Sequence, residues 1–236
     1  VHFWYPEILQ GVSLQTAMLI STWQKIAPLT LLYFMHNNLN PHLLMLAALT
    51  SAAIGGWTGL NQTQTRKIMA FSSIAHMGWI IAALTMNTSL TTLTAMTYLL
   101  TTAAMFTMMT STMTKTLHDT GTTWASSPTT AMMMMITLMS LGGLPPLTGF
   151  MPKWLVLKEM TLMHITPLGM LLLLTSLPSL FFYARMAYTT ALTTPPNTTH
   201  TKMKWRLNHP PPNTMAQTAT ITYLLLPLTA TLYNTT

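Results

Sequence analysis

Three long stretches of this chain, residues 68 to 114, 120 to 152 and 207 to 236, contain no lysine, arginine, aspartate or glutamate. A water-soluble fold cannot build a solvated surface from such segments, because charged side chains make up about a quarter of an ordinary globular chain. Here only 6% of the 236 residues are charged, and half are apolar. The pattern requires a membrane. Spanning barrels would alternate apolar and polar residues every second position, and no such alternation persists, so the spans are helical. The expected fold is an all-α polytopic membrane protein.

The same arithmetic removes several function classes. Ten basic residues against three acidic ones give a net charge of +7. The basic residues fall singly or in twos and threes between apolar runs, as topology signals do, so no nucleic-acid partner is expected. The chain has no cysteine, which excludes disulfides, thiolate nucleophiles and cysteine-held clusters. Its histidines lack metal-ligand spacing, and Gly55, Gly56 and Gly59 do not form a nucleotide-binding fingerprint. No metal site, cofactor site or covalent catalytic group is expected.

Hydropathy places about seven spans in one membrane domain covering 1–236, near 12–35, 41–57, 67–84, 90–109, 129–163, 167–188 and 215–232. The fifth is too long for one crossing: its apolar character extends to about Thr166, roughly 57 Å of straight helix. Its middle, Leu141-Gly-Gly-Leu-Pro-Pro-Leu-Thr-Gly-Phe-Met-Pro152, is incompatible with continuous helix. Two readings fit: a discontinuous helix broken over 142–152 inside the protein, or one span followed by an interfacial helix from Lys153 to Met163. With seven spans, loops 58–67, 110–128 and 189–214 share a side and carry Arg66, Lys67, Lys115, Lys202, Lys204 and Arg206. The opposite loops carry no basic residue, which places the charged side in the cytoplasm or a mitochondrial matrix. Arg185 is expected to anchor at that same interface.

Three lysines remain. Lys25 lies about 20 Å into the first span, close to midplane, followed by Pro28, which frees a carbonyl one turn back. A lysine there costs about 2.5–3.5 kcal/mol and normally faces a bundle interior or water, so Lys25 is a candidate for proton exchange. Lys153 directly follows the Gly/Pro break, where unsatisfied backbone and half-helix dipoles commonly make ion sites; an interfacial cation is the alternative. Lys158 and Glu159 read as a structural pair or as boundary charges. His76 is a candidate relay within the third span, or simply a hydrogen-bonded buried histidine. Tyr98 and the threonine faces around it suit either water chains or helix packing. Glu7 suits the mouth of a pathway or the cap of a helix beginning near Ile8. The chain starts at Val1 inside an aromatic stretch, so an upstream part is expected.

Several strings carry a resemblance. They are His2-Phe-Trp-Tyr-Pro-Glu-Ile-Leu-Gln-Gly11, Thr22-Trp-Gln-Lys-Ile-Ala-Pro28, the run from Gly59 to Trp79, Ser140 to Trp154, and Lys202-Met-Lys-Trp205. Together they resemble the antiporter-like membrane subunits of respiratory NADH:ubiquinone oxidoreductase (complex I) as encoded in vertebrate mitochondrial DNA, a family related to Mrp-type cation/proton antiporters. The resemblance implies an antiporter-like helical bundle in the mitochondrial inner membrane. It also implies proton translocation coupled to electron transfer from NADH to ubiquinone, with other membrane subunits and lipids as partners. Lys25 corresponds to the lysine of the family's central hydrophilic axis, and Lys153 to the lysine at the broken helix. The family's upstream glutamate–lysine pair has no counterpart here. FMN, iron–sulfur clusters, NADH and ubiquinone belong, in that picture, to other subunits. A free-standing Mrp-like antiporter and a non-pumping scaffold remain the alternatives.

Overall fold

The computed structural model describes residues 4–192 together with 217, 219, 220, 222 and 223. Ten α-helices follow one another among the described residues: α1 (Trp4–Gly11), α2 (Leu14–Ser21), α3 (Trp23–Met35), α4 (Pro41–Gly59), α5 (Thr65–Met86), α6 (Thr88–Thr112), α7 (Leu117–Ser126), α8 (Pro128–Gly142), α9 (Phe150–Leu162) and α10 (Thr166–Ala191). A short 3-10 turn, His36–Asn38, joins α3 to α4. Three of them (α5, α6 and α10) are long and apolar enough to cross a membrane by themselves. The expected seventh span, 215–232, is described only at residues 217, 219, 220, 222 and 223, and the basic residues Lys202, Lys204 and Arg206 lie outside the described residues.

Local chemistry sets the ends. Proline at or next to the first helical position opens α4, α8 and α10, where a missing N–H costs nothing. Asn87 caps α6 by accepting from the Ser89 amide at 3.2 Å. Thr116 and Asp119 form a reciprocal capping box on α7. Threonine would be a poor choice for a buried helix unless its hydroxyl were satisfied. Along α6, Thr94, Thr97, Thr101 and Thr102 each donate to a carbonyl three or four residues back, which closes the hydroxyl onto its own helix.

Helix α5 is the central element, packed against α4, α6, α1 and α9. Small residues Ala48, Ala52 and Gly55 on α4 face Ala75 and Gly78 on α5, so the two backbones approach closely. Apolar packing divides into two clusters along the bundle. One holds Ile68, Met69, Ile74, Met105, Phe106, Met109, Leu138, Leu141 and Phe182; the other holds Ala48, Ala52, Trp79, Leu90, Val156 and Leu172. On α5, α6 and α9, His76, Tyr98 and Lys153 fall along the chain between the residues of these two clusters.

The first expected span differs from the structure. Instead of one helix over 12–35, α2 and α3 are separate and meet at Thr22, whose φ of −110° and ψ of −70° interrupt the helix. Both the Ser21 and the Thr22 hydroxyl donate to the Met18 carbonyl, at 3.0 and 2.7 Å, and so compete with backbone bonding there. The break therefore lies at the Ser-Thr pair, while Pro28 sits inside α3. A third helix, α1, precedes them and begins at Trp4 rather than near Ile8, which puts Glu7 within its first turn.

At one end of the bundle the loops that follow α4 and α6 are tied together. The Thr65 amide donates to the Lys115 carbonyl at 3.1 Å, and the Leu117 amide to the Thr63 carbonyl at 3.0 Å. Arg185 was expected to reach out to headgroups. Its guanidinium instead bonds inward to the Leu60 carbonyl at 2.9 Å and to the Gln62 carbonyl, fastening α10 to the same loop. The carbonyls past the end of α4 need donors, and the planar guanidinium supplies two.

Candidate proton-exchange site

The discontinuous helix supplies the first half of the site. Helix α8 stops at Gly142, and Gly143 turns the chain with a φ of +85°, a conformation that disfavours any residue with a Cβ. The chain re-enters a helix at Phe150, so the break spans residues 143–149, shorter than the expected 142–152. A Cβ on Gly149 would lie 1.8 Å from the Ser140 carbonyl oxygen. The Ser140 and Thr148 hydroxyls bond each other at 3.0 Å across the break. Folding the chain back in this way returns Lys153 to the end of α8, where its Nζ donates to the Gly142 carbonyl at 3.2 Å. That carbonyl is one of those a helix end leaves without an intrahelical partner. The Trp79 ring lies 5.7 Å from the same ammonium.

Lys25 enters from the other side. It projects from α3 and donates to the Tyr98 hydroxyl of α6 at 2.8 Å. The rings of Tyr5 and Tyr98 both lie 5.0 Å from its Nζ, so two aromatic rings flank the cation. Beyond Tyr98 stands His76, with ring centroids 5.4 Å apart. Its Nε2 is 3.3 Å from the hydroxyl of Tyr183 on α10. Among the described residues, the hydrogen-bond partners of both ammonium groups are neutral oxygens.

Lys25 and Lys153 line different cavities. A large one of about 1020 Å³ runs beside Lys25, Gln24, Tyr5 and Ser73. An inner one of about 30 Å³ is lined by His76, Tyr98, Thr97, Thr101, Ser140 and Lys153, among others. The inner cavity is polar on several sides and large enough for a water molecule. Tyr98 belongs to both neighbourhoods, since its hydroxyl meets Lys25 and the residue lines the inner cavity.

The structure thus brings together Lys25, His76 and Lys153. It does not bring the three auxiliary candidates to them: Glu7 and Lys158 are exposed, Glu159 is half-buried on α9, and none lines either cavity. Among the described residues, no three metal-ligating side chains are gathered. The sequence reading missed Tyr5, Tyr183 and Trp79. Tyr183, in Phe181-Phe-Tyr-Ala-Arg185, looks like an ordinary interfacial aromatic, and nothing in its spacing links it to a histidine 107 residues away.

Apolar helices around a broken helix, with two lysines and a histidine in the layer between, make an all-α bundle of the kind found in antiporter-like membrane subunits. Residues 1–179 match the family described as NADH:quinone oxidoreductase/Mrp antiporter, TM, and residues 180–233 match that of the NADH dehydrogenase subunit 2 C-terminus. The chain belongs to the NADH:quinone oxidoreductase/Mrp antiporter transmembrane family. One similar protein is NADH-ubiquinone oxidoreductase chain 2 of Sibirionetta formosa, 48% identical over 227 residues, a match covering 96% of this chain and 66% of that protein. The chain therefore spans just under two thirds of that relative's length. Its fold is like that of a chain in respiratory complex I from Thermus thermophilus with bound aureothin, at a TM-score of 0.83 and 24% identity, covering 99% of this chain and 54% of that one. A chain of the Mrp complex from a Dietzia species gives a TM-score of 0.76 at 14% identity, again covering 99% of this chain and 54% of that one.

Proposed function

We propose that this chain is part of a core membrane subunit of respiratory NADH:ubiquinone oxidoreductase. It contributes to proton translocation across the mitochondrial inner membrane, coupled to electron transfer from NADH to ubiquinone. The observation that carries the reading is the line from Lys25 through Tyr98 and the His76-lined cavity to Lys153, built between two apolar clusters. Lysine ammonium groups held by neutral oxygens can lose a proton without breaking an ion pair. A charge that appears on one is felt by the other through poorly screened protein. That is the physical basis for passing an electrical signal along the membrane arm from a distant redox step. The redox centres, the flavin, the clusters and the quinone site belong to other subunits, and this chain's partners are membrane subunits and lipids.

Lysine-to-methionine substitution keeps most of the side-chain volume and removes the titratable nitrogen. The full-length subunit carrying Lys25→Met or Lys153→Met should assemble, yet lose most of its share of proton pumping and lower coupled quinone reduction. The assay is NADH-driven proton uptake in reconstituted vesicles, normalised to assembled enzyme. Near-normal pumping in both variants would overturn the proton-site assignment and favour a scaffold role.

The seven-span arrangement, with Arg66, Lys67 and Lys115 on the matrix side, is part of the same proposal. It is supported by the hydrogen bonds that tie the start of α5, where Arg66 and Lys67 lie, and the residues just before it to the loop that carries Lys115. Cysteines placed at the exposed positions Thr63 and Thr116 of this cysteine-free chain should label from one face, and one at Asn38 from the other. Labelling of Thr63 and Asn38 from the same face would break the arrangement.

A further inference from the structure

Among the described residues, Tyr98 is the one that both bonds the Lys25 ammonium, at 2.8 Å, and lines the inner cavity with His76 and Lys153. Lys25 lines the large outer cavity and is absent from the wall of the inner one, while His76 and Lys153 show the reverse. Tyr98 itself is buried. Its position is tightly held. Its ring lies tilted by 36° against that of His76, and its carbonyl accepts from both the Thr101 and the Thr102 hydroxyl, at 3.1 and 2.8 Å. Tyr5 presents an equally close ring to Lys25, but it lines only the outer cavity.

We infer that Tyr98 is the partition and the proton bridge between the two lysine compartments, so that protons exchanged between Lys25 and Lys153 pass through its hydroxyl. This inference rests on the proton-translocation reading above. A phenol suits the task because its oxygen accepts and its O–H donates. In the forward step an N–H bond of the Lys25 ammonium breaks and an O–H bond forms on Tyr98. The original Tyr98 proton passes to a water in the inner cavity, and that water gives one proton to the neutral Lys153 amine. One proton has then moved from Lys25 to Lys153, and tyrosine and water end chemically unchanged. The cavity of about 30 Å³ admits the single water this step needs.

Tyr98→Phe is the direct test, because it keeps the ring against His76 and over Lys25 and removes only the hydroxyl. Proton uptake per electron is measured in vesicles containing the assembled enzyme, beside Lys25→Met and Tyr98→His. The inference predicts that Tyr98→Phe lowers pumping roughly fivefold or more per assembled enzyme, and that Tyr98→His, which can still pass a proton, recovers part of the loss. A purely packing role would instead favour phenylalanine, the closer match in shape, over histidine. Normal pumping in Tyr98→Phe beside a silent Lys25→Met would overturn the bridge while leaving the proposed function standing. So would a His variant no better than the Phe variant. Normal pumping in Lys25→Met as well would remove the proposed function and the bridge with it. Reduced assembly leaves the comparison readable, because each value is taken per assembled enzyme.

Discussion

Lys25 and Lys153 are both half-buried, and each is held by one neutral oxygen, yet the two oxygens differ in kind. Lys25 leans on a side-chain hydroxyl and faces a cavity of about 1020 Å³; Lys153 leans on a backbone carbonyl beside a cavity of about 30 Å³. A hydroxyl can rotate, donate and accept, and a point substitution removes it. The Gly142 carbonyl exists as a partner only because the helix stops there, so the Lys153 site is a property of the backbone path. The lesson is that two chemically identical groups are made competent by different means. One depends on a neighbouring side chain, the other on glycine and proline placement.

That contrast is broken most severely at Gly149. A Cβ there would meet the Ser140 carbonyl at 1.8 Å, and neither backbone has room to yield. Gly149→Ala should destabilise the chain by on the order of 3 kcal/mol or more and displace Lys153, read as a loss of thermal stability of the purified subunit. No single substitution around Lys25 should do comparable harm to the fold, since α3 has no buried residue. A thermal midpoint unchanged in Gly149→Ala would show that the break is looser than its geometry.

A smaller effect is expected at His76, which lies between the two sites. Its Nε2 reaches Tyr183 at 3.3 Å, a long bond, and water in the inner cavity offers a bypass. His76→Gln should leave assembly intact and lower pumping by less than about tenfold, the scale of one hydrogen bond. Complete loss of pumping in a fully assembled variant would make His76 an obligatory member of the line.

How much of this was readable beforehand depends on the kind of signal. The break was legible because Gly142-Gly143 and Pro145-Pro146 cannot continue a helix, whatever surrounds them. Lys25, His76 and Lys153 stood out because ionisable groups are conspicuous in charge-free sequence. The interruption at Thr22 was not legible, since a Ser-Thr pair is tolerated in most helices and Pro28 drew attention to the wrong position. Tyr5 and Tyr183 were hidden for a different reason. Aromatic residues are common near membrane interfaces, and only tertiary packing tells which of them turn inward. Arg185 was misjudged because a cation near a span end is usually solvated, whereas here unpaired loop carbonyls compete for it.

The smallest expected effect lies away from both lysines, in the loop helix α7, and serves as a control on the comparison. Partial burial pushes the Asp119 carboxyl up, but bonds from the Thr116 amide and hydroxyl and the Lys115 amide outweigh it, and the group sits below its ordinary value. A carboxyl with a depressed folded value adds stability above its unfolded value and loses it as the pH falls through the folded one. Thr116→Ala should cost about 1 kcal/mol at neutral pH, with the difference from the parent shrinking under acid, and should leave pumping unchanged. A loss of pumping in this variant would tie the loop to the proton path.

The central claim is that Lys25 and Lys153 serve one line rather than two independent sites. The most direct measurement is proton uptake per electron for Lys25→Met, Lys153→Met and the double variant, each per assembled enzyme. Sites in series predict a double variant no worse than the more impaired single one, because either block already stops the line. Losses that multiply, with each single variant keeping a separate share of pumping, would contradict a continuous path through Tyr98 and the His76 cavity.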